Sequence, residues 1–149
     1  MREILFRGKS VTDGRWVFGD LSNYGDYRAI TTTRGFSIID SCEVIPETVG
    51  QYTGLTDKRG KKIFEGDILR ESAKNGWEKK NFVGFEVFWH DNDSCDRHIG
   101  WQMNRLHFYG SLSGADIYPI AFRPEWTRRM EVIGNIYDNP ELMGGEAHG

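Results

Sequence analysis

The sequence predicts a mostly β protein with little helix. Short apolar runs recur along the 149 residues, and glycine stands at most points where the chain must reverse. Hardly any stretch repeats apolar residues at the three- and four-residue spacing of an amphipathic helix. Many short strands at regular spacing, separated by glycine turns, are typical of a small barrel or sandwich.

The chain opens with a predicted hairpin. Two strand-like runs, residues 3–9 and 15–21, flank an Asp13-Gly14 pair, which is a strong hairpin signal. Trp16 and Phe18 share one face of the second arm, because side chains alternate along a strand. Further strands are predicted over residues 28–33 and 36–39.

The central stretch, residues 50–68, reads as three strands joined by two tight reversals. Asp57 to Gly60 form the first turn, since aspartate bonds its own backbone and glycine accepts positive φ. Glu65-Gly66-Asp67 form the second, with the Asp67 side chain predicted to cap backbone amides. The predicted structural turn residues are Gly54, Asp57, Gly60, Gly66, Asp67 and Gly134.

The second half of the chain continues the β pattern. Residues 85–90 alternate cleanly, and a slip in phase between Met103 and Leu106 predicts a bulge in the next strand. Pro119 predicts an edge strand over residues 117–122, because proline cannot donate to a ladder. The remaining predicted elements are a helical turn at 124–130, a strand at 131–137 and a short helix start at 139–142.

Three regions are predicted. Residues 1–45 form an N-terminal β-hairpin region, and Pro46 marks the boundary that follows it. Residues 46–143 form a barrel region with long polar loops, and residues 144–149 a disordered tail. A five- or six-stranded barrel is expected from the strands around Tyr52, Ile63, Ile68, Phe85, Trp101 and Val132.

Composition narrows the function classes. Nineteen basic against 22 acidic residues give a net charge of −3, which argues against a general nucleic-acid coat protein. No apolar run is long enough to span a bilayer, and the N-terminus lacks the apolar core of a signal peptide. Cys42 and Cys95 are too few for a disulfide framework and fit a reducing cytoplasm. We therefore expect a cytoplasmic protein without a membrane partner.

One basic cluster is a candidate nucleic-acid site. Lys58, Arg59, Lys61 and Lys62 crowd a single turn. The simpler interpretation is that they are solvated turn residues that keep strand edges from pairing wrongly. The functional alternative is a local patch that contacts phosphates.

One loop is dense in potential metal ligands. His90, Cys95 and His98 could supply two imidazoles and a thiolate to zinc, and the aspartates between them could serve calcium. Neither spacing matches a standard site, so we favour a solvated loop whose aspartates make turn hydrogen bonds. No phosphate loop, dinucleotide fingerprint or Gly-x-Ser-x-Gly motif is present. No cofactor and no enzymatic activity are expected, with a metal-dependent hydrolase as the remaining alternative.

Three blocks in order carry a family resemblance. They are residues 2–9 with 16–21, residues 48–67, and residues 131–142. These blocks resemble the YopX family, small proteins encoded by phages and prophages, whereas residues 72–129 show little similarity. The resemblance implies an SH3-like barrel in the C-terminal region and a bacterial host. It carries over no catalytic motif and no assigned activity.

The N-terminal aromatic residues predict self-association. Trp16, Phe18, Tyr24, Tyr27 and Phe36 exceed what a small hairpin region can bury within itself. We expect them to pack between copies in a symmetric homo-oligomer, the alternative being that they pack on the barrel. The expected function is a non-enzymatic protein-interaction or self-assembling module, whose partners are a second copy or a phage or host protein. A nucleic-acid-binding accessory protein is the alternative.

We predict that the protein purified without chelator contains no stoichiometric zinc or calcium, because the loop from His90 to His98 lacks the ligand spacing of either site. Elemental analysis measures this directly. About one zinc per chain would contradict the prediction and favour the hydrolase.

Overall fold

The computed structural model of the protein describes residues 2–34, 37–71, 84–90, 100–106 and 120–143. The protein is mostly β, as predicted. Within these ranges the chain forms eleven strands: β1 (Phe6–Lys9), β2 (Trp16–Asn23), β3 (Arg28–Arg34), β4 (Ser37–Val44), β5 (Gly50–Thr56), β6 (Lys62–Phe64), β7 (Asp67–Glu71), β8 (Gly84–His90), β9 (Gly100–Leu106), β10 (Ile120–Ala121) and β11 (Met130–Asn135).

Helix is confined to single turns in the described residues. A 3-10 helix, Pro46–Thr48, precedes β5, and another, Pro140–Met143, follows β11. The α-helix α1 (Pro124–Thr127) begins on proline, whose fixed φ suits the first helical position, as the sequence predicts. No described helix is long and apolar enough to cross a bilayer.

The chain divides into two compact units, Met1–Gly54 and Leu55–Gly149. The division falls inside β5, whereas the predicted regions meet at residues 45 and 46. Residues 144–149, the predicted tail, lie outside the described residues.

The first unit is a curled antiparallel sheet in the order β4-β3-β2-β1-β5. The predicted hairpin is confirmed, with Phe6 opposite Gly19 and Lys9 opposite Trp16. The curl brings the end of β4 back to β1, where Ser10 and Val44 form an isolated bridge. Val44 is fully buried there and lies against Gly8.

The second unit holds a five-stranded antiparallel sheet in the order β10-β9-β8-β7-β11. Its strands carry alternating apolar residues that meet in a single buried cluster, which lowers the free energy of the folded state by removing apolar area from water. The buried members are Ile63, Leu69, Phe85, Val87, Met103 and Met130. The short strand β6 contributes Ile63 to this cluster but pairs with β5.

The predicted SH3-like barrel is not confirmed. All six predicted barrel strands exist, but those containing Tyr52 and Ile63 (β5 and β6) belong to one sheet and the other four (β7, β8, β9 and β11) to another. A barrel needs a continuous ladder around its circumference. In the described residues the ladder does not continue from β6 to β7, and the strands form two antiparallel sheets without closure.

The predicted bulge between Met103 and Leu106 is wrong. The ladder between β8 and β9 runs without a register shift from His90 opposite Gly100 to Gly84 opposite Leu106. Met103 and Leu106 point to opposite faces, and both are buried. Both faces of the sheet are covered here, so apolar residues occupy both phases of a regular strand. A bulge occurs instead in β11, between Val132 and Gly134.

Two glycines predicted in turns lie within strands. Gly54 is in β5 and Gly134 is in β11. Gly134 is needed for close approach, because a Cβ at this position would lie 2.7 Å from the Asn139 amide carbon. Asn139 is held there by the hydrogen bond that its side chain accepts from the Asn135 N–H, at 3.2 Å.

We predict that alanine is tolerated less well at Gly66 than at Gly60. Both residues have positive φ, +82° at Gly60 and +90° at Gly66, in the two reversals on either side of β6. A Cβ at Gly60 meets nothing within 4 Å, so Gly60→Ala should cost only the backbone term, about 1 kcal/mol. At Gly66 the Cβ would lie 3.1 Å from Tyr137 Cε2, so Gly66→Ala should cost about 2 kcal/mol or more.

Denaturant unfolding of the two variants gives both values. Gly60→Asn is the matched control, since asparagine adopts positive φ more readily than alanine, and it should stay close to wild type. Equal destabilisation by the two alanines would show that the proximity of Tyr137 adds nothing.

Candidate functional site

Four basic side chains lie together where β5 turns into β6. Lys58 and Arg59 occupy the turn, Lys61 follows it, and Lys62 is the first residue of β6. All four are exposed to solvent. The structure thus places the four predicted basic residues on one solvent-facing turn, which we call the basic turn.

The basic turn is built around the buried carboxylate of Asp57. Asp57 Oδ1 accepts hydrogen bonds from the backbone N–H groups of Arg59, at 2.8 Å, and Lys61, at 2.9 Å. The Asp57 N–H donates to the Lys61 carbonyl at 2.8 Å, and Gly60 N–H donates to the Asp57 carbonyl at 3.0 Å. An aspartate that bonds the backbone two and four residues on fixes a turn that lysine and arginine do not specify themselves.

The second carboxylate oxygen ties the turn to β11. Asp57 Oδ2 accepts a hydrogen bond from the Val132 N–H at 3.0 Å. One residue further along, the Lys58 N–H donates to the Met130 carbonyl at 2.9 Å. The start of β11 is therefore fixed beside the basic turn by two hydrogen bonds, although about 75 residues separate the segments in sequence.

These hydrogen bonds control the ionisation of Asp57. Burial of the carboxyl opposes its charge, but the N–H groups of Val132, Lys61 and Arg59 all donate to the ionised form. The donors prevail, and the pKa of Asp57 lies below its ordinary value. The group is therefore an anion at neutral pH, as its three donors require.

Glu131 partly balances the charge beside the basic turn. Its side chain lies between two arginines, with Arg70 Nη2 at 3.0 Å and Arg59 Nη2 at 3.5 Å from its carboxylate oxygens. Arg70 Nε also donates to Glu131 Oε1 at 3.1 Å. Since Arg59 remains 73% exposed, solvent screens its pairing with Glu131 strongly, and the Arg70 pairing is the stronger one.

The same edge of the second unit carries three exposed residues that the sequence did not suggest as a site: Trp126, Arg128 and Arg129. They lie in α1 and immediately after it, just before Met130, which is bonded to the basic turn. The Arg129 guanidinium lies 5.0 Å from the centroid of the Trp126 ring. The adjacent arginines were visible in the sequence, but only the hydrogen bond from Lys58 to Met130 places them beside the basic turn.

The carboxylate of Asp67 holds the other end of β6. It is 1% exposed, and its Oδ2 accepts the Phe64 N–H at 2.8 Å. Across the same reversal, Gly66 N–H donates to the Val87 carbonyl, and Gly66 accepts from the Ile136 N–H at 2.9 Å. Asp67 thus bonds a backbone amide in the manner that the turn position predicts.

The predicted metal candidates cannot be placed together. Cys95 and His98 lie outside the described residues, and of His90 only the backbone, at the end of β8, is described. Among the described side chains no three histidine, cysteine, aspartate or glutamate groups converge as metal ligands. No described geometry supports the hydrolase alternative.

The first unit exposes large aromatic side chains. Phe18 is 47% exposed, Tyr24 52% and Tyr27 43%. Tyr24 and Tyr27 close the hairpin between β2 and β3 and stack on each other, with ring centroids 5.0 Å apart. Trp16 differs from them, because the guanidinium of the buried Arg7 lies 4.4 Å from its ring centroid. Phe36 lies outside the described residues.

Comparison with known proteins gives a family and a fold. The model of the YopX protein family matches residues 5–144, nearly the whole chain. The crystal structure of protein EF1440 from Enterococcus faecalis is similar, with a TM-score of 0.56 and 19% identity, over 96% of this chain and 99% of that one. At this identity the likeness extends to the fold alone. No curated protein matches the chain.

We predict that Asp57→Ala destabilises the protein by on the order of 3 kcal/mol, because it leaves three backbone N–H groups without their acceptor. The pKa of Asp57 is depressed in the folded state, so its stabilisation is present above the unfolded pKa and is lost as pH falls through the folded value. The difference in unfolding free energy between wild type and variant should be constant at neutral pH and should narrow below about pH 4.

Asp13→Ala is the matched control. Asp13 also sits in a hairpin turn and bonds Arg15, but it is exposed and makes no described hydrogen bond beyond that turn. The control should lose much less stability than Asp57→Ala. Equal losses in the two variants, measured by urea unfolding, would mean that the bond to Val132 contributes nothing.

Proposed function

The chain belongs to the YopX family, and we propose that it is a non-enzymatic interaction protein that self-associates through the exposed aromatic residues of its first unit. The observation that supports this most directly is the exposure of Phe18, Tyr24 and Tyr27. Exposed aromatic groups on a folded surface are typical of interaction sites. We refer to these three residues as the aromatic surface.

The two tyrosines suit such an interface because they are already ordered. Their rings are inclined by 20° and stack across the end of a hairpin. The Tyr24 N–H donates to the Tyr27 carbonyl at 2.9 Å, which fixes the backbone between them. Rigid aromatic side chains lose little conformational entropy on binding and supply a large buried area.

Phe18 is the third member of the aromatic surface. It lies near the start of β2, six residues before Tyr24, and its exposed side chain has no polar atom to be satisfied by water. Covering it with a second copy of the chain would remove apolar area from water, which is the main driving force for association. A symmetric dimer would use this surface twice, once from each chain.

We extend the proposal to the origin and cellular location of the protein. The family resemblance favours a phage or prophage origin. A chain with only two cysteines fits the reducing cytoplasm of a bacterial host. An unidentified phage or host protein is the alternative partner for the aromatic surface.

Light scattering coupled to gel filtration tests self-association. The chain mass is 17.2 kDa, and we expect an integer multiple of it at micromolar concentration. Phe18→Ser/Tyr24→Ser/Tyr27→Ser should weaken association roughly 10⁴-fold and restore the monomer mass, since the symmetric dimer loses six anchors, three from each chain, and removing each costs about 1 kcal/mol.

Ile4→Ser/Val11→Ser is the control, because Ile4 and Val11 are exposed apolar residues of the same unit outside the aromatic surface. This variant should keep the wild-type mass. A wild-type mass of 17.2 kDa at every concentration would end the proposal, as would equal dissociation of both variants.

A further inference from the structure

We propose that the second unit binds single-stranded nucleic acid on a surface formed by the basic turn together with the residues around α1. This cationic surface consists of Lys58, Arg59, Lys61, Lys62, Trp126, Arg128 and Arg129. It shares no residue with the aromatic surface, and the proposal does not depend on self-association.

Charge is the first support. Residues 57–62 and 123–131 contain seven basic and three acidic residues, in a chain whose net charge is −3. Asp57 is buried and bonded to backbone N–H groups, and Glu131 pairs chiefly with Arg70, which lies outside these segments. The third acid, Glu125, lies in α1. The local charge is therefore positive, and a polyanion is the partner that it favours.

Juxtaposition is the second support. The hydrogen bonds from Lys58 N–H to the Met130 carbonyl and from Val132 N–H to Asp57 place the two basic segments side by side. Each segment alone is a short charged turn of a kind common on protein surfaces. Joined, they place the basic side chains of two separate segments at one edge of the second unit, and a strand that neutralises more than one of them gains affinity with each phosphate contacted.

An exposed aromatic ring is the third support and selects the class of partner. Trp126 is 38% exposed, and Arg129 lies against its ring. A base stacks on such a ring whatever its identity, and unpaired bases are available only in single strands. A polyphosphate or an acidic polypeptide would use the cations but would gain nothing from the indole.

Both halves of the surface are fixed before binding. Asp57 holds the basic turn, as its three hydrogen bonds show. In α1 the Thr127 side chain is 2% exposed, and its hydroxyl donates to the Pro124 carbonyl at 3.3 Å. The Arg128 N–H donates to the same carbonyl at 3.1 Å. Trp126 lies within this ordered turn, which reduces the entropy change that opposes binding.

Fluorescence anisotropy with a labelled oligothymidylate of about 20 nucleotides tests the proposal, because this length spans the site sizes of known single-strand binders. Binding should be measurable at about 50 mM salt and should weaken as salt rises. Replacing Lys58 or Arg129 with glutamine should reduce the slope of log affinity against log salt by about 0.7 for each phosphate that the variant no longer neutralises.

The tryptophan variants separate stacking from charge. Trp126→Leu should weaken binding about 10-fold without changing the salt slope, and Trp126→Phe should restore most of the affinity. The charge control is Arg2→Gln/Arg15→Gln, which removes two exposed cations of the first unit and should leave binding unchanged.

Three results with the oligothymidylate would each overturn the proposal. In the first, wild type does not bind the oligothymidylate at low salt. In the second, Arg2→Gln/Arg15→Gln weakens binding as much as Lys58→Gln does. In the third, Trp126→Leu binds with the affinity of wild type. Tighter binding of polyglutamate than of oligothymidylate would also contradict it and would assign the surface to an acidic protein. Thermal unfolding of each variant shows whether it is folded. Lys58→Gln should be folded, because Lys58 occupies an exposed position in the turn.

Discussion

The carboxylate of Asp57 is the group on which the second unit most depends. Its first oxygen fixes a turn of five residues, and its second reaches a strand about 75 residues away. A local turn and a distant strand are thus joined by a single ionised group. Because ion-assisted hydrogen bonds are stronger than neutral ones, and this group is buried, the joint stabilises the fold and sets where the basic side chains stand.

The neighbouring strand β6 shows the same principle on a smaller scale. Three residues are too few for a strand to be stable by pairing alone. Asp57 organises the turn before it, and Asp67 accepts the N–H of its last residue, Phe64. Because both ends of β6 are held, Ile63 packs in the core cluster of the second unit, where it is fully buried. Two aspartates therefore supplement the short ladder that β6 forms with β5.

What the sequence could predict follows from the range of each interaction. The two reversals at Gly60 and Gly66 depend on residues within a few positions, so local patterns indicated them correctly. The register of β8 and β9 depends on what covers both faces of the sheet, and the expected bulge was wrong for that reason. Gly134 was expected in a turn but lies in β11, beside the bulge in the ladder with β7, and that register depends on a strand far away in sequence. The prediction of a closed barrel was not confirmed for a similar reason. Local residues indicate where strands form, but the pairing of strands depends on residues far apart in sequence.

The candidate cationic surface shows why net charge is a poor guide to partners. A total of −3 argued against nucleic acid, yet charges separated by more than about 8 Å are largely screened at physiological salt. A bound strand responds mainly to the charges within that distance. At the basic turn the fold adds the segment that ends at Met130 and carries Arg128 and Arg129, and it also adds Glu131, whose carboxylate lies 3.5 Å from Arg59 Nη2. Acidic residues elsewhere lower the total without weakening this local field much. The relevant quantity is therefore the charge within one screening length of an exposed stacking ring, here Trp126.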